Sequence, residues 1–222
     1  MKRLLLMLAL TTTVSADPVV LELFTSQGCS SCPSADEFLR KLAAKDKRVI
    51  PLAFHVDYWN YLGWRDPFSS AQWSQRQGDY VRAMKLSSAY TPQLVINGSR
   101  QLVGSSAFEI YRAIDEESKT KRDARVTMKQ GGMNVVIDAH TSAPAELILI
   151  TYANNVVTKI TRGENAGRTQ TNDAIVEKLE RLGPVSGAAE KRVPVFFTGT
   201  NGVVALLQDP KTLRILAAAS LP

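Results

Sequence analysis

Hydrophobic and polar positions follow two rhythms along this chain, and the first half alternates between them. Val19-Val20-Leu21-Glu22-Leu23-Phe24 is an apolar run broken once, the pattern of a strand buried on both faces. Ser34-Ala35-Asp36-Glu37 then resembles a helix capping box, and Phe38, Leu39 and Leu42 extend it as a helical stripe to about Lys45. Val49 to Val56 predicts a second strand, with Pro51 as the one residue unable to donate to a ladder. An aromatic-rich stretch, Tyr58 to Phe68, follows, and Ser69 or Ser70 is placed to cap a helix running to about Leu86. Leu94-Val95-Ile96 and Gln101-Leu102-Val103 flank Asn97-Gly98, a dipeptide suited to a tight hairpin because both positions tolerate positive φ. Ser106 predicts the start of another helix, to about Lys121, giving the order β-α-β-α-β-β-α.

Beyond Arg122 the rhythm changes to short runs bounded by turn residues. Arg125–Met128, Met133–Asp138, Ala145–Tyr152, Val156–Ile160, Val193–Thr198, Val203–Leu207 and Leu213–Ala218 read as strands, and only Asn172–Leu182 reads as helix. The expected organisation is a leader over residues 1–16, an α/β domain over 17–123 and a smaller β-rich, sandwich-like domain over 124–222.

The leader adds a compartment. Lys2-Arg3, the apolar run Leu4 to Leu10 and the small residues Val14-Ser15-Ala16 have the order of a secretory signal cut after Ala16, so a periplasmic or secreted location is expected. That apolar run is too short to span a bilayer, and no other stretch approaches roughly 18 apolar residues, so no stable membrane insertion is expected after cleavage. The formal net charge of +6 is modest and spread along the chain. Its densest cluster, Lys119-Thr120-Lys121-Arg122, is not interleaved with aromatics, which argues against a nucleic-acid partner.

In an exported chain the cysteines carry the most information. Cys29 and Cys32 are the only two in 222 residues, and Cys29-Ser30-Ser31-Cys32 lies between the first strand and the first helix. A helix N-terminus presents unpaired N–H groups and a partial positive charge, and both favour a thiolate. Export by itself suggests a structural disulfide. Closing so short a loop, however, removes little chain entropy, and a chain of this length can bury a core without a staple. The spacing therefore favours a reactive pair, with Cys29 as the more exposed nucleophile and Cys32, one turn in, as the resolving thiol. Its partners would be protein thiols or disulfides, and no cofactor is implied. Two readings stand beside this one. A soft ion such as Cu(I) could be held by both cysteines and His55, but no Met-rich tract or further His cluster supports it. Alternatively the chain is a non-enzymatic protein-binding module.

Other groups fall near these cysteines in sequence or expected topology. Glu22 is an acid within an apolar strand, and burial would raise its pKa enough to exchange a proton with Cys32; strand alternation favours its pointing away. His55 and Asp57 share one side of a strand end, where sites form in parallel sheets. His55 either carries protons near the dithiol or pairs with Asp57 to hold the aromatic segment. Trp59, Tyr61, Trp64 and Phe68 are read as a small satellite core, or as a lid beside Cys29, fixed by ion pairs of Arg65-Asp66 and Arg76. The loop-like Arg162 to Arg168 segment either meets a partner or docks the two halves. His140 is expected at the surface.

The β-α-β unit followed by a hairpin and helix, with Cys29-Ser30-Ser31-Cys32-Pro33 and with Thr91-Pro92 just before the hairpin, resembles the thioredoxin core. That resemblance implies a cis Pro92 packed beside the dithiol, with backbone ahead of it free to pair with an extended substrate. About 60 residues separate Cys32 from Pro92, more than a minimal core needs, which marks Tyr58 to Tyr80 as an insertion. Phe24-Thr25-Ser26-Gln27-Gly28-Cys29, His55-Val56-Asp57-Tyr58-Trp59, Gly63-Trp64-Arg65-Asp66-Pro67, Arg76-Gln77, Tyr90-Thr91-Pro92 and Arg162-Gly163-Glu164-Asn165-Ala166-Gly167-Arg168 are similar to a secreted bacterial thioredoxin-like family, domain-of-unknown-function family 1223. The resemblance implies an α/β thioredoxin-like domain with a helical aromatic insertion, followed by a smaller β-rich, sandwich-like domain. The family lends no established reaction; the cysteine pair itself gives the leading expectation, a thiol–disulfide oxidoreductase or redox partner using Cys29 and Cys32, with Thr91, Pro92, His55 and Glu22 as supporting residues.

Overall fold

The computed structural model describes residues 17–222, and the expected leader lies outside the described residues. β1 (Val19–Thr25) and β2 (Val49–His55) pair in parallel from Val19↔Val49 to Thr25↔His55, connected by α1 (Cys32–Lys45). α2 (Ala71–Ala83) begins at Ser70, whose hydroxyl accepts the Gln72 N–H and satisfies one of the unpaired donors of the first turn. β3 (Gln93–Ile96) lies antiparallel to β1 and turns through Asn97-Gly98 into β4 (Arg100–Val103), after which α3 (Ala107–Glu117) follows. Gly98 has φ +63°, and a Cβ there would overlap the Leu213 carbonyl, so both conformation and space demand glycine. The Val20 N–H donates to Asn97 Oδ1 at 2.9 Å, and Asn97 Nδ2 donates to Glu117 Oε2 at 2.9 Å, tying the turn to β1 and α3.

The remaining strands are β5 (Ala124–Gly131), β6 (Asn134–Ala153), β7 (Val156–Lys159), β8 (Thr169–Asn172), β9 (Ile175–Pro194), β10 (Asn201–Gln208) and β11 (Ile215–Leu221). β6 and β9, 20 residues each, form an antiparallel ribbon from Asn134↔Pro194 to Ala153↔Ile175. The ribbon runs into the first half. Ala53 of β2 pairs in parallel with Ile175, and its N–H donates to the Ala174 carbonyl at 2.7 Å. One nine-stranded mixed sheet results, ordered β11-β10-β6-β9-β2-β1-β3-β4 with β5 on β6, while β7 and β8 form a separate pair.

This corrects the expected fold class. The chain builds mostly a large mixed β-sheet carrying three α-helices among the described residues, instead of an α/β thioredoxin-like domain with a helical insertion and a sandwich behind it. Two local misreadings contributed. Of residues 172–182, expected helical, Asn172 closes β8 and Ile175 to Leu182 enter β9, because backbone pairing with β6 overrides an apolar spacing that also suits a helix. The aromatic stretch contains only a single 3-10 turn, Asn60–Leu62, before α2.

Strand alternation explains why one sheet serves three cores. Val19, Leu21 and Leu23 of β1 pack with Ala35, Leu39 and Leu42 of α1 and Ile110 and Ile114 of α3. The other face of β1, through Val20 and Phe24, packs with Phe54, with Trp73 and Tyr80 of α2, and with Ile148, Ile150, Val204 and Leu206 of β6 and β10. The intervening Leu147, Leu149, Val203 and Ala205 face a third core with Val126, Val135 and Ile137. Among the described residues, no helix is long and apolar enough to cross a membrane.

Glu22 lies in the core shared by both halves. Arg76 donates to its Oε1 at 2.6 and 3.0 Å, and the Tyr80 hydroxyl donates to its Oε2. Gln208 Nε2 in turn donates to the Tyr80 hydroxyl at 3.1 Å, so the network spans β1, α2 and β10. Removing one partner from a buried pair leaves an uncompensated charge. Arg76→Met should lower unfolding stability by about 3–5 kcal/mol in urea titrations, and adding Glu22→Gln should recover part of that loss.

Candidate functional site

The turn after β1 delivers the cysteines to the start of α1. The Cys29 N–H donates to the Ser26 carbonyl at 3.1 Å and the Cys32 N–H to the Cys29 carbonyl at 3.3 Å. Pro33 occupies the first helical turn, where a missing N–H leaves no bond unmade. Cys29 and Cys32 are joined as a disulfide, with Cα atoms 5.4 Å apart. The Thr91 hydroxyl donates to Cys29 Sγ at 3.2 Å and accepts from Trp59 Nε1 at 2.8 Å, which ties the aromatic segment to the sulfur. Ser31 Oγ lies 3.4 Å from the same sulfur. The Thr91-Pro92 peptide is cis. Pro92 and Ala35 converge on Gly104, where a Cβ would come within 3.2 and 3.1 Å of theirs.

Cys29, expected to be the more exposed sulfur, is only 3% exposed, against 0% for Cys32. The connection between β7 and β8 covers the turn. Asn165 Nδ2 donates to the carbonyls of Gln27 at 2.9 Å and Cys29 at 2.8 Å, and the Ser30 N–H donates to Glu164 Oε2 at 3.2 Å. Gly163, at φ +72°, sits against Trp64 and the Leu62 carbonyl, where a Cβ would lie 3.0 Å from Trp64 Cβ. Gln27 links the same parts, donating to Asn172 Oδ1 at 3.1 Å and accepting from Trp64 Nε1 at 3.2 Å. The Arg162 to Arg168 segment thus docks onto the cysteine turn itself.

The structure does not bring Glu22 to the disulfide. It lies on the α2 side of β1, whereas Cys32 opens α1 on the other side. His55 and Asp57 do not pair. Ser74 Oγ donates to Asp57 Oδ1 at 2.5 Å, and His55 Nδ1 lies 2.7 Å from Asp66 Oδ2, both side chains being fully buried. Asp66 also accepts the N–H groups of Gln27 and Phe68, at 2.7 and 3.0 Å. Burial lowers the affinity of His55 for its proton, but the Asp66 carboxylate, helped by Asp36, outweighs it and leaves the pKa raised. For Asp66 burial acts upward, and the His55 charge with the hydrogen bonds leaves its pKa lowered.

Asp36 is a residue that sequence reasoning placed only in a capping box. It lies on α1 one turn beyond Cys32, and neither carboxylate oxygen has a hydrogen-bond partner among the described residues. Thr25 Oγ1 is beside it without meeting hydrogen-bond geometry, and His55 and Asp66 act on it electrostatically. Burial pushes its pKa from 3.8 up to about 6, against the opposing pull of His55. The i,i+4 relation to Cys32 was the available signal.

Residues 20–208 match the family described as protein of unknown function, DUF1223. The chain belongs to this family. The match to DUF1223 takes in the cysteine turn, the aromatic segment and the clamping loop. No curated protein matches the chain significantly. A crystal structure of a protein from Agrobacterium tumefaciens is similar at 31% identity and TM-score 0.82, covering 93% of this chain and 94% of that one. HBP35 of Porphyromonas gingivalis shares the fold at 18% identity and TM-score 0.69, covering 93% of this chain and 75% of its own. The DUF1223 sheet is therefore found as a whole in the first of these, through both halves.

Two outcomes are expected. Because the folded protein holds the Asp36 proton more tightly than the unfolded chain, stability falls as pH rises from 3.8 through about 6. The ionised carboxyl costs about 3 kcal/mol at neutral pH, so Asp36→Asn should raise the urea midpoint at pH 7 and leave it nearly unchanged at pH 4. Asn165→Ala frees two carbonyls of the cysteine turn, and should lower stability by about 1–3 kcal/mol while speeding reduction of the disulfide by dithiothreitol, followed by thiol counting.

Proposed function

We propose that this DUF1223 protein is a thiol–disulfide oxidoreductase or redox partner that exchanges electrons with protein thiols or disulfides. One observation carries the reading: a lone Cys29–Cys32 disulfide at the start of a helix, with a hydroxyl already bonded to the sulfur of Cys29. In the oxidised state an incoming thiolate attacks Cys29 Sγ, the Cys29–Cys32 bond breaks, and Cys32 leaves as a thiolate that takes up a proton. A second partner thiolate then attacks the partner sulfur of the mixed disulfide, releasing Cys29 and leaving the partner oxidised by two electrons. The helix N-terminus and the Thr91 hydroxyl stabilise negative charge on Cys29 at each release. The reverse sequence oxidises the dithiol. The leader-like sequence over residues 1–16 supports an exchange outside the cytoplasm, where an oxidising poise makes such couples useful.

The native protein should be reduced by dithiothreitol to two free thiols per chain and reoxidised by oxidised glutathione. Cys29→Ser should abolish mixed-disulfide formation, and Cys32→Ser should accumulate it, read by mass spectrometry. A disulfide that stays intact in dithiothreitol under native conditions would sink the proposal. The burial of both sulfurs beneath Asn165 and Glu164 favours a second reading, a protein-binding module in which the disulfide only braces the turn. That same negative result would support it.

A further inference from the structure

Asp36 lies on the flank of α1 away from Pro92. Ala35, its neighbour, faces Leu23 and Pro92 through Gly104, whereas Asp36 faces His55 of β2 and lines a cleft of about 340 Å³ between α1 and β8. That cleft is bounded by Pro33, Asp36 and Glu37 on one side and by Arg168 to Asn172 on the other. The side-chain amide of Gln170 is also buried there without a hydrogen-bond partner among the described residues. Four residues separate Cys32 from Asp36 within one helix, which brings their Cβ atoms to about 6 Å. Both Asp36 oxygens remain free to accept or give a proton, unlike Glu22, which is consumed by Arg76 and Tyr80, and Asp66, which is consumed by His55 and two backbone N–H groups.

We infer that Asp36 is the proton-exchange site of the dithiol, taking the Cys32 proton when that sulfur resolves a mixed disulfide and passing it to solvent through the α1–β8 cleft. The inference rests on the oxidoreductase reading. In the resolving step Cys32 gives its proton to the Asp36 carboxylate, and the Cys32 sulfur attacks Cys29 Sγ. The bond between Cys29 and the partner breaks, and the partner leaves as a thiolate. Reduction runs the other way, with protonated Asp36 supplying the proton to the departing Cys32 thiolate. The partner occupies the Thr91-Pro92 side while the proton crosses the opposite flank, so the two traffics do not compete. The groups facing Asp36 are Thr25 from β1, His55 from β2, Asp66 from the aromatic segment and Arg168 with Gln170 across the cleft, with Glu37 adjacent on α1. A buried, raised pKa of about 6 suits an acid and base for exchange near neutrality.

The test uses the reduced full chain and 5,5′-dithiobis(2-nitrobenzoate) in stopped flow at 412 nm. A first thionitrobenzoate is released when Cys29 attacks, and a second when Cys32 resolves. Asp36→Asn should leave the first release unchanged. It should slow the second by roughly 10²-fold at pH 7 and shift its rise to alkaline pH, where Cys32 ionises unaided. Glu190→Gln, exposed on β9 and outside this cleft, should alter neither phase. An Asp36→Asn protein whose second phase keeps the wild-type rate and pH profile overturns this inference alone. A wild-type protein that releases no thionitrobenzoate overturns the oxidoreductase reading and this one together.

Discussion

The parallel junction of β2 with β9 is the constraint from which the rest of the architecture follows. It is short, a single Ala53↔Ile175 pair with one 2.7 Å bond to Ala174, yet it fuses two runs of strands into one sheet. Once fused, the inner face of β1 and β2 is covered by α2 and by strands β6 and β10, so Phe24 and Phe54 share a core with Ile148 and Leu206. The junction also fixes where β8 emerges, immediately before β9. The β7–β8 connection is thereby delivered over the cysteine turn, where Asn165 and Glu164 take up backbone groups that the turn leaves open.

β1 divides two buried polar networks of different character. On one face, Glu22, Arg76, Tyr80 and Gln208 satisfy one another, and the charges are spent in holding three elements together. On the other, His55 and Asp66 form a closed pair, but Asp36 beside them keeps both oxygens without a partner among the described residues. A satisfied network rigidifies, and an unsatisfied acid beside a dithiol is chemically available. The two faces of the sheet around β1 therefore separate a closed network from an open one.

The legible parts of the sequence were those in which cause and consequence are near each other. The β1-α1-β2 unit, the Ser70 cap and the Asn97-Gly98 hairpin depend on local pattern and turn chemistry, and the cysteine pair declared itself by spacing. What failed was non-local. Ile175, Val176, Leu179 and Leu182 have a spacing that a helix could use, and only the presence of β6 alongside makes them strand. The same pairing joined the two halves and undid the expectation of a thioredoxin-like unit with a sandwich behind it. His55 found Asp66, eleven residues on, in place of the nearer Asp57. Asn165 reaches a carbonyl 136 residues before it, a distance no periodicity reports.

The shared core has a consequence for how the molecule can be divided. A cut near residue 123, where the strand-rich half begins, would strip Ile148, Ile150, Val204 and Leu206 from Phe24 and Phe54, and would leave the Gln27 and Cys29 carbonyls without Asn165. The helical half is thus not a catalytic module with an appendage. The cysteine turn is assembled from both halves of the chain and belongs to the whole sheet.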